Sequence, residues 1–189
     1  MEPPELVLAS NNPGKLREIA ALLSMQVIPQ AQLGIAEAEE PHATFLENAL
    51  AKARHASRAA RLPALADDSG LCVQALGGEP GVNSAYYGGR EGSREERDFR
   101  NNEKLLLNLS DDRKAFYCCV MVLLRHAEDP RPLVAEGLWH GEIARAPRGS
   151  NGFGYDPIFF IPEIRKTAAE LDPAQKNRMS HRGKALAQL

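Results

Sequence analysis

Apolar and polar positions alternate along this chain in two rhythms, one of period two or less and one near 3.6. Leu6-Val-Leu-Ala9 is an unbroken apolar run of the kind a strand covered on both faces shows. It stops at Ser10-Asn-Asn12, and a helix-period pattern follows at Leu16, Ile19, Ala20 and Leu23. Asn12 suits the N-cap and Pro13 the first helical position, so residues 13–23 read as a helix. A short strand over 25–28 is closed by Pro29, and 30–41 reads as a loop with acidic residues at Glu37, Glu39 and Glu40. Thr44 and Glu47 form a capping box before an alanine-rich helix over 48–61, which Pro63 ends. Leu65-Ala66 leads into Asp67-Asp-Ser-Gly70, a strand predicted to stop in a polar turn.

The stretch through Gly77-Gly78 and Pro80-Gly81 reads as irregular. Ser93 and Glu96 form a second capping box, opening a helix that ends near Leu109. Two long strands are predicted over 115–125 and 133–144, joined through turn residues as a hairpin. A Gly-rich loop over 147–157, a short strand over 158–161, a helix start at Asp172-Pro173 and a terminal helix opening at Ser180 complete the pattern. Strands alternating with helices predict an α/β fold, and the hairpin makes the sheet mixed rather than purely parallel. The length of 189 residues, 43% hydrophobic, suits a single domain over residues 1–189.

Charge and cysteine content narrow the possible functions. The formal net charge of -2 argues against a general nucleic-acid binder, while leaving room for local cations around a small anion. No apolar run is long enough to span a membrane and no basic-then-apolar leader is visible, so a cytoplasmic protein without membrane partners is expected. Cys72, Cys118 and Cys119 have no C-x-x-C spacing, so neither a zinc knuckle nor a redox pair is predicted, and the strand-like run around Cys118 and Cys119 predicts buried inert thiols there.

Four patches carry candidate chemistry. At the first strand–helix turn, Lys15 falls where the helix dipole disfavours a cation. An anion there resolves the conflict, held by backbone N–H groups, Ser10, Asn12 and the Lys15 ammonium. The turn lacks the longer Gly-rich run of a Walker loop, and an ordinary turn with a solvated lysine fits the same residues equally well. Asp67 and Asp68, at a strand end, are the oxygen donors a hard divalent cation takes, although Asp-Asp-Ser-Gly is also good turn chemistry. Glu39 and Glu40 can bring a further carboxylate to the same ion, and Lys52, on one helix face with Asn48, can reach phosphate or stay solvated.

The third patch is Asn151-Gly-Phe-Gly-Tyr-Asp-Pro157, where aromatics among glycines either present a flat face to a base or tuck back into the core. The fourth is Lys176 with Ser180-His-Arg182. Cationic donors there favour a 6-oxo purine, whose O6 and N7 accept, over adenine, whose amino group donates; the plainer alternative is a helix cap with solvated side chains.

In order and spacing, these segments resemble the inosine triphosphate pyrophosphatase family, the (d)ITP/XTP pyrophosphatase group, over essentially the whole chain. The resemblance rests on Ser10-Asn-Asn-Pro-Gly-Lys15, Thr44-Phe-Leu-Glu-Asn-Ala49, Ala66-Asp-Asp-Ser-Gly70, Gly77-Gly78, Phe153-Gly-Tyr-Asp-Pro-Ile-Phe159 and Ser180-His-Arg-Gly183. It implies an elongated mixed β-sheet flanked by helices, two lobes with a central substrate cleft, and a homodimer. It implies hydrolysis of dITP, ITP and XTP to the nucleoside monophosphate and pyrophosphate, with Mg2+ as cofactor. By the same resemblance, Ser10, Asn11, Asn12, Pro13, Gly14 and Lys15 form the triphosphate turn, and Lys52 and Ser69 contact substrate. Asp68 is the proton acceptor and a metal ligand, and Glu40 is a second metal carboxylate. Phe153, Gly154, Tyr155 and Asp156 hold the base, while Lys176, His181 and Arg182 read its 6-oxo edge. Tyr86 stands where the family commonly has arginine. The rival readings are a Maf-type nucleotide pyrophosphatase, against which His181-Arg182 and the Phe153 loop argue, and a nucleotide-binding module that does not hydrolyse its ligand.

Overall fold

The computed structural model describes residues 5–23 and 25–189. Seven strands form one sheet in the order β2-β1-β3-β4-β5-β6-β7: β1 (Leu6–Leu8), β2 (Val27–Pro29), β3 (Ala64–Val73), β4 (Lys114–Leu124), β5 (Leu133–Ile143), β6 (Phe159–Ile161) and β7 (Lys166–Thr167). β1 pairs in parallel with β2 and β3, whereas β6 pairs antiparallel with β5 and β7, so the sheet is mixed as the hairpin predicts. The helices are α1 (Pro13–Leu22), α2 (Phe45–Ala60), α3 (Arg94–Asn108), α4 (Pro173–Met179) and α5 (His181–Leu186).

The caps lie where the polar residues predict them. Asn12 Oδ1 accepts from the Gly14 and Lys15 N–H groups at 3.0 and 3.2 Å. Thr44 Oγ1 accepts from Glu47 N at 3.2 Å, and α2 starts directly after it, three residues earlier than the periodic pattern indicates. Both reciprocal bonds of the capping box at Ser93 and Glu96 are made. Asp172 Oδ1 caps α4 through Gln175 N at 2.8 Å.

One expectation is overturned. Asp67-Asp-Ser-Gly70 is not a turn: β3 continues through it, with Asp67 fully buried and Asp68 6% exposed. Turn propensity is a local preference, and a carboxylate in a strand is tolerated when cations compensate its desolvation. Those cations come from α1, α2 and α5, remote in sequence. The 30–41 segment also holds a short 3₁₀ turn, Gln30–Leu33, that the composition does not reveal, and the two-residue strand β7 carries too short a pattern to be read.

The chain divides into two compact units, and β3, β4 and β5 each contribute residues to both. The first comprises the described residues up to Asp68, with Cys119–Gly137 and His181–Leu189. Its core joins Leu6, Leu8, Ile19, Leu65, Cys119, Met121 and Ala185. The second comprises Ser69–Cys118 and Leu138–Ser180. Its core is aromatic at the centre, with the Phe159 ring 4.6 Å from Tyr117 and 5.1 Å from Trp139. All three cysteines are buried and outside any disulfide, and the burial of Cys118 and Cys119 agrees with their strand-like run.

In the first unit α5 packs against α1 and lies tight on β5 at Gly137. A Cβ on Gly137 would sit 1.9 Å from the His181 carbonyl oxygen and 2.6 Å from Ala185 N. Both are helix backbone atoms, which cannot turn aside as a flexible side chain does. Gly137→Ala therefore pushes α5 outward. The expected loss is about 1–3 kcal/mol, the usual cost of overpacking, measured by urea unfolding against the wild-type chain.

Candidate functional site

Candidate groups gather in each unit. In the first, three cations, Lys15, Lys52 and Arg182, meet four carboxylates, Glu18, Glu40, Asp67 and Asp68. Lys15 leaves the first turn of α1 and places Nζ 3.0 Å from Asp67 Oδ2. Arg182 of α5 points Nη2 at the same oxygen, 3.3 Å away, and Nη1 at Glu18, one turn beyond Lys15 on α1. On α2, Lys52 contacts Glu40 and stands 3.8 Å from Asp68 Oδ1. Asn48, one turn earlier, secures the segment next to Glu40: it accepts from His42 N at 3.0 Å and donates to His42 O at 3.2 Å.

The two adjacent aspartates are driven apart in proton affinity. Burial works against the Asp67 charge, but Lys15, Arg182 and Lys52 outweigh it and hold the carboxyl far below the usual range. For Asp68, burial is the largest influence and raises the pKa; Lys52 and Lys15 oppose it, while Glu40 and Asp67 add to it, leaving the pKa raised. Lys52 is also buried, which disfavours its charge, yet Asp67, Asp68 and Glu40 together raise its pKa. Successive strand residues point to opposite faces, which is how neighbours reach such different surroundings. Oppositely shifted carboxyls side by side are the pattern of a site that assigns them separate roles.

The turn residues lie beside these charges. Ser10 is buried, and its Oγ accepts from Asn12 N at 3.2 Å. Asn11 N donates to Glu37 Oε1 at 3.2 Å, and Asn11 Oδ1 accepts from Gln30 Nε2 at 3.3 Å. The N–H groups expected to face an anion are thus engaged by protein oxygens, and a phosphate has to displace Asn12 Oδ1 to reach them. His181 is buried, and Arg182, 2% exposed, directs Nε and Nη2 at Asp67 and Nη1 at Glu18.

In the second unit, the loop after Asn151 folds around Asp156. Asp156 Oδ2 accepts from Phe153 N at 2.8 Å and meets Lys176 Nζ at 2.5 Å, while Tyr117 OH lies 3.4 Å from Oδ1. Lys176 also sits 4.8 Å from the Phe153 ring centroid. Gly152, at φ +77°, admits this closure, because a Cβ there would meet Asp156 Oδ2 at 2.0 Å. The two loop aromatics differ. Phe153 is half-buried, whereas Tyr155 tucks into the core and donates to Ser84 O at 2.8 Å, so only Phe153 keeps a partly accessible ring. Burial, reinforced by Asp98, raises the Tyr155 pKa and keeps the phenol neutral.

Ser69 lies partly buried in β3. At Tyr86, Arg90 and Arg97 lie 4.4 and 5.6 Å from the ring centroid, so positive charge gathers on the ring that stands where arginine was expected. Glu18, Asp98, Asn101 and Asn102 belong to no motif in the sequence, yet each is engaged here. Asn101 donates to Ser84 O and Ala85 O at 3.1 and 3.2 Å and accepts from Gly88 N at 2.6 Å, bracing the segment around Tyr86. The available signals were helical spacing, with Glu18 three residues after Lys15, and asparagines lying inside α3 rather than at its ends.

The Asp67 network makes stability depend on pH. The unfolded chain binds a proton at this carboxyl near pH ~4, and the folded chain resists it. Its contribution is therefore complete above about pH 4 and declines as pH falls toward the lowered folded value. Asp67→Asn leaves buried cations uncompensated and should cost about 3–5 kcal/mol at neutral pH. Urea unfolding from about pH 7 to pH 3 should show the gap between wild type and variant narrowing with acid. A constant gap would remove Asp67 from the pH dependence.

Residues 6–189 match the model of the Ham1 family. A dITP/XTP pyrophosphatase of Burkholderia pseudomallei is 64% identical, covering 97% of this chain and 90% of the relative. One from Ralstonia nicotianae is 61% identical, covering 97% and 94%. Among solved structures, a HAM1 protein from Coxiella burnetii superposes with a TM-score of 0.89 at 49% identity, covering 98% of this chain and 95% of that one. A nucleoside-triphosphatase / dITP/XTP pyrophosphatase from Mycobacterium abscessus gives 0.74 at 42% identity, covering 97% of each chain. A match through both units, at such identity and with the same mixed sheet, means that the chain belongs to the Ham1 family.

Proposed function

We propose that this chain hydrolyses the triphosphates of non-standard purine nucleosides, dITP, ITP and XTP, to the monophosphate and pyrophosphate, and so cleanses the nucleotide pool. The observation that carries the reading is the pair of adjacent aspartates, one locked in ion pairs and one with raised proton affinity, beside Lys15 and Lys52. The names of the relatives, dITP/XTP pyrophosphatase, point to two of these substrates.

Asp68 is the group suited to take a proton from a water attacking the α-phosphorus, because its raised pKa makes it the stronger base of the two. Lys15 and Lys52 balance charge on the triphosphate, and the turn from Ser10 to Gly14 supplies polar atoms around it. Asp67 keeps Lys15 in place. Ser69 contributes a hydroxyl contact.

The donor set fits a magnesium ion. Glu40 and Asp68 both approach the Lys52 ammonium, so two hard oxygen donors already share a cation's position. Magnesium takes one or two carboxylates and completes its shell with phosphate and water, and Glu40 and Asp68 would be those carboxylates. Bound there, magnesium supplies neutralisation of phosphate charge.

The base falls to Phe153, Gly154, Tyr155 and Asp156, with Phe153 as the stacking face, and to Lys176, His181 and Arg182. A 6-oxo group accepts from a buried ammonium such as Lys176, whereas the adenine amino group would set donor against donor. The family resemblance supports a homodimer, and three buried cysteines outside any disulfide agree with a reducing, cytoplasmic setting.

Incubation with magnesium and ITP, dITP, XTP, ATP, GTP and a pyrimidine panel, with products resolved, tests the reading. IMP and pyrophosphate from ITP, with little turnover of ATP, are expected. Orthophosphate and a nucleoside diphosphate would contradict the bond assigned. Preference for pyrimidines would favour the Maf-type reading, and tight binding without turnover a binding module. Asp68→Asn should lower kcat by about 10²–10⁴-fold while leaving the melting temperature nearly unchanged.

A further inference from the structure

α3 carries Arg94, Asp98 and Asn102 at i, i+4 and i+8, on one helix face. All three reach the loop that holds Phe153. The Arg94 guanidinium lies 5.5 Å from the Phe153 ring centroid and 4.0 Å from Asp98 Oδ2. Asp98 Oδ2 accepts from Gly154 N at 2.9 Å, and Asn102 Nδ2 donates to Gly154 O at 3.0 Å. The two peptide units flanking the Gly154 Cα are thus gripped by neighbouring turns of one helix. Gly154 adopts φ +64° with open space around its Cβ direction, so glycine serves backbone conformation there and not close packing. Both bonds select that conformation, because the N–H and the carbonyl must face α3 together.

We propose that Asp98 and Asn102 are positioning residues for purine recognition: by holding the Gly154 backbone they set the Phe153 ring at its distance from Lys176. This rests on the reading of the Phe153 loop as the base site. Asp156 ties the loop to Phe153 N and to Lys176 of α4, and Tyr155 ties it to the Ser84 carbonyl, but neither bond holds the N–H or the carbonyl of Gly154. α3 holds both.

A second observation separates this role from plain stability. Asn102 Oδ1 is buried without a hydrogen-bond partner among the described residues. Such an atom costs folding free energy, which a leucine of similar size avoids. The Nδ2 bond to Gly154 O is what the amide contributes there. Asp98→Asn keeps an oxygen acceptor for Gly154 N, whereas Asp98→Ala removes it.

The test uses the full chain as wild type, Asp98→Ala, Asp98→Asn and Asn102→Leu. KM and kcat for ITP, the inhibition constant of inorganic tripolyphosphate and the melting temperature are measured for each. Asp98→Ala and Asn102→Leu should raise KM for ITP about tenfold with kcat changed less than about threefold. Inhibition by tripolyphosphate, which has no base, should be unchanged. Asp98→Asn should restore the wild-type KM. Unmoved KM values in an active protein would overturn the clamp alone, as would equal weakening of ITP and tripolyphosphate. Absence of ITP turnover by wild type would overturn the proposed activity together with the clamp that rests on it.

Discussion

A carboxylate with no exposed surface, Asp67, sits in the middle of β3, and the first unit is arranged to make that tenable. Taking a charge out of water costs several kcal/mol, about as much as an entire domain has to spare. Here Lys15 from α1 and Arg182 from α5 supply the compensation, and Glu18 balances the second charge that Arg182 brings. Each member makes the next necessary: an arginine as buried as Arg182 would be untenable without its two carboxylates. The approach of α5 to β5 at Gly137 belongs to the same requirement, since α5 carries Arg182.

The next residue along inherits a different environment. Strand geometry turns Asp68 to the other face, where Lys52 and Glu40 are its neighbours. Because the strongest compensation is drawn to Asp67, burial prevails at Asp68 and its proton affinity rises. A structural charge and a basic carboxylate thus arise from two identical side chains without any further machinery, and the raised affinity is the property a proton acceptor requires.

The second unit solves a different problem, holding a flexible Gly-rich loop in one conformation. Asp156 ties the loop to Lys176 and to its own backbone, Tyr155 pins it to the Ser84 carbonyl, and α3 grips Gly154. Glycine supplies the backbone freedom and polar side chains remove it again, leaving Phe153 as the partly accessible ring.

Much of the architecture was legible in the chain because it is set locally. The caps at Asn12, Thr44, Ser93 and Asp172 depend on side chains bonding N–H groups two or three residues away, and the mixed sheet followed from a hairpin flanked by recognisable strands. The Ser10–Lys15 turn, the aspartate pair and the Phe153 loop were visible as oddities of residue type, and their order identified the family. What only the tertiary structure decided is how charges are paired. Asp67-Asp-Ser-Gly70 has local turn chemistry and lies in a strand because cations from α1, α2 and α5 converge on it; Tyr155 and Phe153, alike in composition, part ways between core and loop; Asn102 looks like any helical asparagine until Gly154 is placed beside it. Capping and periodicity act over a few residues, whereas the free energy of a buried charge depends on partners that only folding brings within a few ångströms.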